Sequence, residues 1–375
     1  MRVWTPPGFP LDRGMGLARN RGVFVLLFLI ACGGDPPSGP ALAPRPEIQT
    51  CLPDISEGMP ARLSDTGCFA DSKTLEPGPD LIPYDVSSAL WTDGAFKSRF
   101  MVVPSTEQIE VREDGQWVFP EGSVLIKVFG FDMLVDEAVS PRAVETRFMV
   151  RHDGKWEYAT YRWNDDGTDG VLIEGGATVE YTVYQNGEPV VLEYTFPDNE
   201  TCTTCHGTTI DDVLGPKTNQ LNRDRDYGGI VENQLRAMDQ IDLLDFGTTE
   251  EVNPAQLPTI ANPQLGVGTL DAQARAYLDA NCAHCHRPGG WAPSDIGLDF
   301  RYEVTLEETG LCEPMKYFQW AGIPRVLPGD SEGSGLLQRF DRDDPLRMPS
   351  TGTSAVDPLG TALLRGWIDS LATCP

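Results

Sequence analysis

The sequence predicts an α+β protein of two domains, an antiparallel β domain followed by a mostly α-helical domain. Residues 84–200 alternate apolar and polar side chains, with β-branched and aromatic residues between turn residues, as half-buried strands do. After Asp224 the apolar residues recur at helical spacing instead. A length of 375 residues is also typical of two domains.

The N-terminus predicts export. Two arginines precede an apolar run at 23–31, which is too short to span a bilayer and is typical of a signal-peptide core. The run ends at Cys32 in the sequence LIAC, which resembles a bacterial lipobox. We therefore expect residues 1–31 to be a lipoprotein signal peptide and Cys32 to be lipidated; an ordinary cleaved signal is the alternative. The Pro- and Gly-rich residues 32–50 are predicted to form a tether.

These features predict a protein of the bacterial cell envelope, lipid-anchored and either facing the periplasm or at the outer membrane. The chain carries 29 Lys and Arg against 56 Asp and Glu, a formal charge of −27. Nucleic acid is not an expected partner, because phosphates need a basic footprint. An acidic surface instead favours a partner protein with a basic surface.

Residues 51–260 are expected to form the β-rich domain, which ends in a first CxxCH motif and a trailing helix over 229–245. Asn186-Gly187, between the last two strand candidates, is a strong hairpin signal. The strand candidates are 122–130, 143–151, 155–163, 178–184 and 188–196.

Residues 261–375 are expected to form the second domain. A helix is predicted to run from Thr269 into a second CxxCH motif. Another is predicted over 357–372, because Asp357 suits the N-cap and Pro358 the first helical position. Its expected apolar face consists of Leu359, Leu363, Trp367, Ile368 and Leu371.

The chain has nine cysteines, and an exported protein can form disulfides. Setting aside the lipidation candidate and the four cysteines of the CxxCH motifs leaves Cys51, Cys68, Cys312 and Cys374. Proximity along the chain favours Cys51 with Cys68 and Cys312 with Cys374, although sequence alone does not fix disulfide connectivity.

The two CxxCH motifs consist of Cys202, Cys205 and His206, and of Cys282, Cys285 and His286. This spacing is the attachment signature of c-type haem, in which two thiols bind the haem edge and the histidine becomes an iron ligand. Only four histidines occur in the chain, and two of them follow a CxxC. The sequence therefore predicts two covalently attached haem c groups. A zinc site would leave both histidines unexplained, and a redox dithiol expects a βαβ setting that is not predicted here.

The sequence suggests a second iron ligand more clearly for the second haem than for the first. Met348, in a Met-Pro pair before the last predicted helix, is the candidate opposite His286, and Met315 is the runner-up. For the first haem, Met238 and His152 are candidates, although core packing and a solvated turn are the favoured roles for them. An open sixth site is the remaining alternative.

Several stretches resemble a bacterial family of dihaem c-type cytochromes of unknown function. They include PYDVSSALWTDGAFKSRF at 83–100, YRWNDDGTDG at 161–170, LGPKTNQLNRD at 214–224 and AYLDANCAHCHRPGG at 276–290. The resemblance implies a periplasm-facing redox protein and supplies no substrate. The order helix, CxxCH, Met-Pro, helix is similar to a class I cytochrome c domain.

A shorter stretch, FPEGSVLIKVF at 119–129, resembles the cytochrome P460 and c′-β group. That likeness implies an open-faced haem against an antiparallel sheet. In P460 a lysine cross-links the haem, and by analogy Lys127 is a candidate for that role. An inward-pointing strand lysine is more often an edge or ion-pair residue, so Lys127 is not counted among the expected site residues.

The expected function is electron transfer between redox partners by a dihaem cytochrome. The alternative is a redox enzyme in which an open-site haem in the β domain acts on a small molecule while the second haem relays electrons. A non-redox interaction lipoprotein, built on zinc or disulfides, is the third possibility.

Overall fold

The computed structural model describes residues 40–374, apart from residues 136, 186 and 207–212. It contains antiparallel sheets and short helices, in agreement with the predicted α+β class. The predicted signal peptide, the lipidation site Cys32 and the first part of the predicted tether lie outside the described residues. Within the described part of the chain, no helix is both long and apolar enough to cross a membrane.

The strands and helices are short apart from the central strands of the main sheet. In chain order the strands are β1 (Phe69–Asp71), β2 (Glu76–Pro77), β3 (Ile82–Pro83), β4 (Phe96–Val102), β5 (Ile109–Val111), β6 (Trp117–Val118), β7 (Val124–Val135), β8 (Ala138–His152), β9 (Lys155–Trp163), β10 (Gly170–Ile173), β11 (Ala177–Gln185), β12 (Glu188–Phe196), β13 (Asp224–Asp226), β14 (Val231–Asn233) and β15 (Leu244–Asp245). The helices are α1 (Asn199–His206), α2 (Thr218–Leu221), α3 (Gln234–Asp239), α4 (Leu270–Asn281), α5 (Gly335–Phe340) and α6 (Pro358–Ser370).

The main sheet has the strand order β10-β9-β8-β7-β11-β12, with β4 also paired to β7 and β3 paired to β4. Every pairing in it is antiparallel, and the five strands predicted from alternation are all present. One side of β7 pairs with β8, and two strands share its other side. Of these, β4 pairs with residues Val124–Gly130 of β7, and β11 pairs with β7 at Met133. A bulge lies at Gly130, where a Cβ would fall 2.3 Å from the carbonyl oxygen of Arg142, so the position requires glycine.

The two faces of this sheet differ in chemistry, because successive strand residues point to opposite sides. Phe100, Ile126 and Phe148 lie side by side across β4, β7 and β8 and are buried. They belong to a core that includes the Cys51–Cys68 disulfide. The intervening residues lie on the other face, which forms the wall of a cavity.

The described part of the predicted tether, residues 40–50, lies against the β domain. Leu42 is buried in a core cluster. The guanidinium of Arg45 donates to the carbonyl oxygens of Pro104, at 2.8 Å, and Glu107, at 2.7 Å. These contacts fix residues 42–45 on the domain surface.

The helical prediction over 229–245 is wrong in its length, because α3 covers only Gln234–Asp239 and is flanked by β14 and β15. The side chain of Asn233 accepts a hydrogen bond from the Leu235 amide and starts the helix there. Asp242, shortly after the helix ends, has a positive φ of 54°, which a continuing helix would not allow. Met238 is fully buried, as its apolar spacing predicted.

The C-terminal domain is built on α4 and α6, which pack on a common core. Asp357 caps α6 as predicted, and its other carboxylate oxygen accepts a bond of 2.9 Å from the Tyr277 hydroxyl of α4. Gly360 is required at this crossing, since a Cβ there would lie 2.3 Å from that hydroxyl oxygen. The predicted apolar face is wrong at Leu359, which is 60% exposed, while Leu364 is buried instead.

The two halves of the chain meet through residues 88–93. The Trp91 amide donates to the side chain of Asn281 at 2.6 Å, and the Trp91 indole donates to the carbonyl oxygen of Ala355 at 3.1 Å. One carboxylate oxygen of Asp93 accepts from the amides of Ser354 and Ala355. Asn281 is the last residue of α4, so these contacts position the second CxxCH motif directly.

Candidate functional site

The cysteines of the described chain fall into two groups. Disulfides join Cys51 to Cys68 and Cys312 to Cys374, which are the pairs that chain proximity favours. The remaining described cysteines are those of the two CxxCH motifs, all reduced and partly buried.

The first motif lies in α1, which begins directly after β12. The Asp198 carboxylate accepts a bond of 2.7 Å from the Thr201 amide, and the Asp198 carbonyl accepts from the Cys202 amide at 3.1 Å. The helix places Cys202, Cys205 and His206 on one side, because residues three and four apart are neighbours on a helix surface. The imidazole of His206 lies 5.9 Å, centroid to centroid, from the ring of Tyr158 on β9.

The second motif is a turn that continues from the end of α4. The amide of His286 donates to the carbonyl oxygen of Cys282 at 2.9 Å, which reverses the chain around the motif. The His286 ring lies 5.5 Å from the ring of Phe300, edge to face. Burial, aided by nearby cationic groups, lowers the pKa of His286 to about 4, so its imidazole is neutral at pH 7.

The buried Nδ1 atom of His286 has no hydrogen-bond partner among the described residues. A neutral, desolvated imidazole with one nitrogen uncommitted is the form of histidine that binds a metal.

The two motifs meet in space, although 80 residues of sequence separate Cys205 from Cys285. The sulfurs of Cys205 and Cys285 and a ring nitrogen of His284 all lie within 4.8 Å of one another. Interaction with the Cys285 thiol, and to a lesser extent with His284, holds the pKa of the Cys205 thiol below its usual range despite partial burial. No short-range feature of the sequence predicts this contact, and His284, which lies between the two motif cysteines, is partly buried within it.

A cavity of about 490 Å³ opens beside the first motif, between the sheet and the C-terminal domain. That volume is in the range of small-molecule and cofactor sites. Cys202, Cys205, His206 and His284 form part of its wall. The sheet side of the wall carries four basic residues: Lys97, Arg99, Lys127 and Arg147. Of these, the sequence pointed only to Lys127, through the likeness to the P460 group.

The candidates for the second iron ligands lie in separate parts of the structure. Met348 is partly buried, and its amide donates to the carbonyl oxygen of Arg339 at 2.7 Å; the charge of Arg339 also acts on His286. Met315 packs with its sulfur against Gly335 at the start of α5. His152 lies at the end of β8, with Nδ1 3.5 Å from the Glu157 carboxylate. Met149, which the sequence did not suggest, lines the cavity and is buried.

The donor set fits two kinds of centre. Each motif supplies two reduced thiols and a histidine, the residue types that attach and ligate covalent haem. Each histidine also lies against an aromatic ring. The cluster of Cys205, His284 and Cys285 also has the ligand types of a thiolate zinc site, though with three ligands rather than the four of a structural site. Comparisons of the chain with protein families, with curated proteins and with solved structures find no match.

The contact between the motifs can be tested in protein made without haem. In a Cys202→Ser/Cys282→Ser variant, the free thiols expected to remain in the described chain are Cys205 and Cys285. Because their sulfurs lie within 4.8 Å, diamide is expected to oxidise them to one intramolecular disulfide, detected by mass spectrometry of linked peptides. Cys285→Ser added to this variant is the control and should give no link. Two thiols that stay free, or that link only between molecules, would contradict the geometry.

Proposed function

We propose that the protein is a dihaem c-type cytochrome that transfers electrons between redox partners in the cell envelope. The observation that supports this best is the meeting of the two CxxCH motifs, with all four thiols reduced. Cys202 with Cys205 and Cys282 with Cys285 would hold one haem each, and His206 and His286 would be the iron ligands. Bound haem would supply one-electron chemistry at a potential set by its ligands and surroundings.

Haem explains more of the site than a thiolate metal does. A metal held by Cys205, His284 and Cys285 leaves Cys202, Cys282 and both motif histidines without a role. Under the haem proposal, six of those seven side chains are used, and only His284 is left over. The aromatic rings beside His206 and His286 would then support the orientation of the two imidazoles.

The closeness of the motifs supports a relay. Each thiol would join the edge of its haem, so contact between Cys205 and Cys285 implies that the two haem edges approach each other there. An electron entering at one haem would then have a short path to the other. The strongly acidic composition supports a redox partner with a basic surface, and a lipid anchor at Cys32 would keep the protein at the membrane.

The proposal is tested by counting haems. The full-length protein, produced in a host that attaches c-type haem, is expected to show two covalent haems per chain by pyridine haemochrome and intact mass. Cys202→Ala/Cys205→Ala should leave one haem, and so should Cys282→Ala/Cys285→Ala. The matched control Cys312→Ser/Cys374→Ser removes a disulfide and should keep both. Protein that carries no covalent haem, or stoichiometric zinc in its place, would contradict the proposal.

Met348 is proposed as the second ligand opposite His286. A thioether opposite histidine favours reduced iron, so Met348→Ala is expected to lower the midpoint potential of one haem and to abolish the weak red-end charge-transfer band of His/Met ligation. The control Met315→Ala should keep the band. A Met348→Ala protein that retains it would exclude this ligand.

The cavity beside Cys202 and His206 favours a second candidate function, redox chemistry on a small molecule at the first haem. An open iron site there would bind carbon monoxide when reduced, whereas two fully ligated haems would not. If the protein is an enzyme of this kind, CO should shift the Soret band of about one haem in two, and Cys202→Ala/Cys205→Ala should abolish the shift. An unchanged Soret band would leave electron transfer as the function.

A further inference from the structure

A row of basic side chains crosses the cavity wall on three adjacent strands. Arg99 of β4 lies directly opposite Lys127 of β7, and Lys127 lies directly opposite Arg147 of β8. Lys97, two residues before Arg99, lies on the same face of β4. All four side chains line the cavity. We refer to these four residues as the cationic row.

Such a row is costly without an anion. Residues opposite each other on neighbouring strands have Cβ atoms about 4.5–5.5 Å apart, and like charges at that spacing destabilise a sheet. Two members of the row are also largely withdrawn from water, since Lys97 is only 6% and Arg99 only 8% exposed, while Lys127 and Arg147 are partly buried. Apolar side chains at these positions would avoid both costs, so the retention of four cations points to a ligand.

The described residues neutralise only part of the charge. Glu145 is fully buried and accepts two bonds from Arg147, at 2.7 and 2.8 Å. Lys97 donates to the carbonyl oxygen of Leu90, which carries no net charge. Neither Lys127 nor Arg99 forms an ion pair with a described residue. Glu145 is therefore the one described carboxylate that forms an ion pair with the row, while Asp93 and Asp85 act on Lys97 and Arg99 without forming one. Because burial lowers the pKa of Lys97 and of Lys127, the two arginines are the permanent charges of the row.

The lowered pKa of Lys127 agrees with a row of basic groups that lacks a bound anion. Burial, followed by the charges of Arg99 and Arg147, lowers the pKa of Lys127 to about 7. An anion bound against the ammonium would favour the charged form and oppose both effects.

We propose that the cationic row is a binding site for an oxyanion, held in the cavity beside the first CxxCH motif. Arg99 presents a planar fork that suits a two-oxygen anion, and Lys127 supplies a point charge at the centre of the row. The anion has two possible sources, a propionate of the covalently bound haem or a free oxyanion that enters the cavity. Only the first source rests on the proposed function.

The free anion is tested by titration of the purified full-length protein with acetate and with inorganic phosphate, in a cationic buffer of low chloride. Binding is followed by the melting temperature and by any absorption band in the Soret region. Lys127→Gln removes the central charge, and Lys127→Arg keeps it. The matched control is Lys155→Gln, on β9, because the Lys155 side chain is 66% exposed and outside the cavity.

A free oxyanion site is established if either probe raises the melting temperature in a saturable way. Lys127→Gln should then weaken binding at least about tenfold, which is the loss expected for one charged hydrogen bond. Lys127→Arg and Lys155→Gln should bind as the wild type does. Because the melting temperature can be measured with or without attached haem, this result does not depend on the proposed function.

A propionate is the ligand if neither probe binds, while Lys127→Gln lowers both the melting temperature and the midpoint potential of one haem and keeps two haems per chain. Lys127→Arg should restore both values. The proposal is overturned if no probe binds and Lys127→Gln raises the melting temperature without changing either potential. If the protein carries two haems and gives that last result, the anion site is contradicted while the proposed function is not.

Discussion

The alternation of side chains across β4, β7 and β8 is the constraint on which the rest of the site depends. One face of these strands carries Phe100, Ile126 and Phe148, which close the core against the Cys51–Cys68 disulfide. The same register forces Arg99, Lys127 and Arg147 onto the opposite face, where they become the cavity wall. A slip of one residue would turn the charges into the apolar core and the aromatic rings toward the cavity, so packing of the core face also holds the cations in place.

Against this wall the chain brings together two segments that are distant in sequence. The first motif follows β12 through the Asp198 cap, and the second follows α4, whose last residue, Asn281, binds the Trp91 amide. The ion pair of Lys217 with Asp279, at 3.0 Å, adds a further link between the halves. The first motif lies within α1 and the second directly follows α4, and both elements are anchored in this way. The relative position of the motifs is therefore set by the fold rather than by flexible loops.

Much of this fold could be predicted from local sequence signals. Alternation identified the five long strands, and Asp357 with Pro358 located the start of α6. Local signals did not predict the features that depend on tertiary contacts. Apolar spacing continued past α3, but the Asn233 cap and the turn at Asp242 limit that helix to six residues. The contact of Cys205 with Cys285 and the alignment of the cationic row depend on strand register and domain docking, for which a single sequence carries no short-range signal.

The proximity of two haems is the central proposal, and electron paramagnetic resonance tests it most directly. The oxidised full-length protein would be compared with the two single-haem variants that lack one pair of motif cysteines. If Cys205 and Cys285 hold their haems edge to edge, the two irons interact magnetically, and the spectrum of the full protein should be broadened relative to the sum of the single-haem spectra. A spectrum equal to that sum would contradict the proposal, because it would place the two irons too far apart to interact.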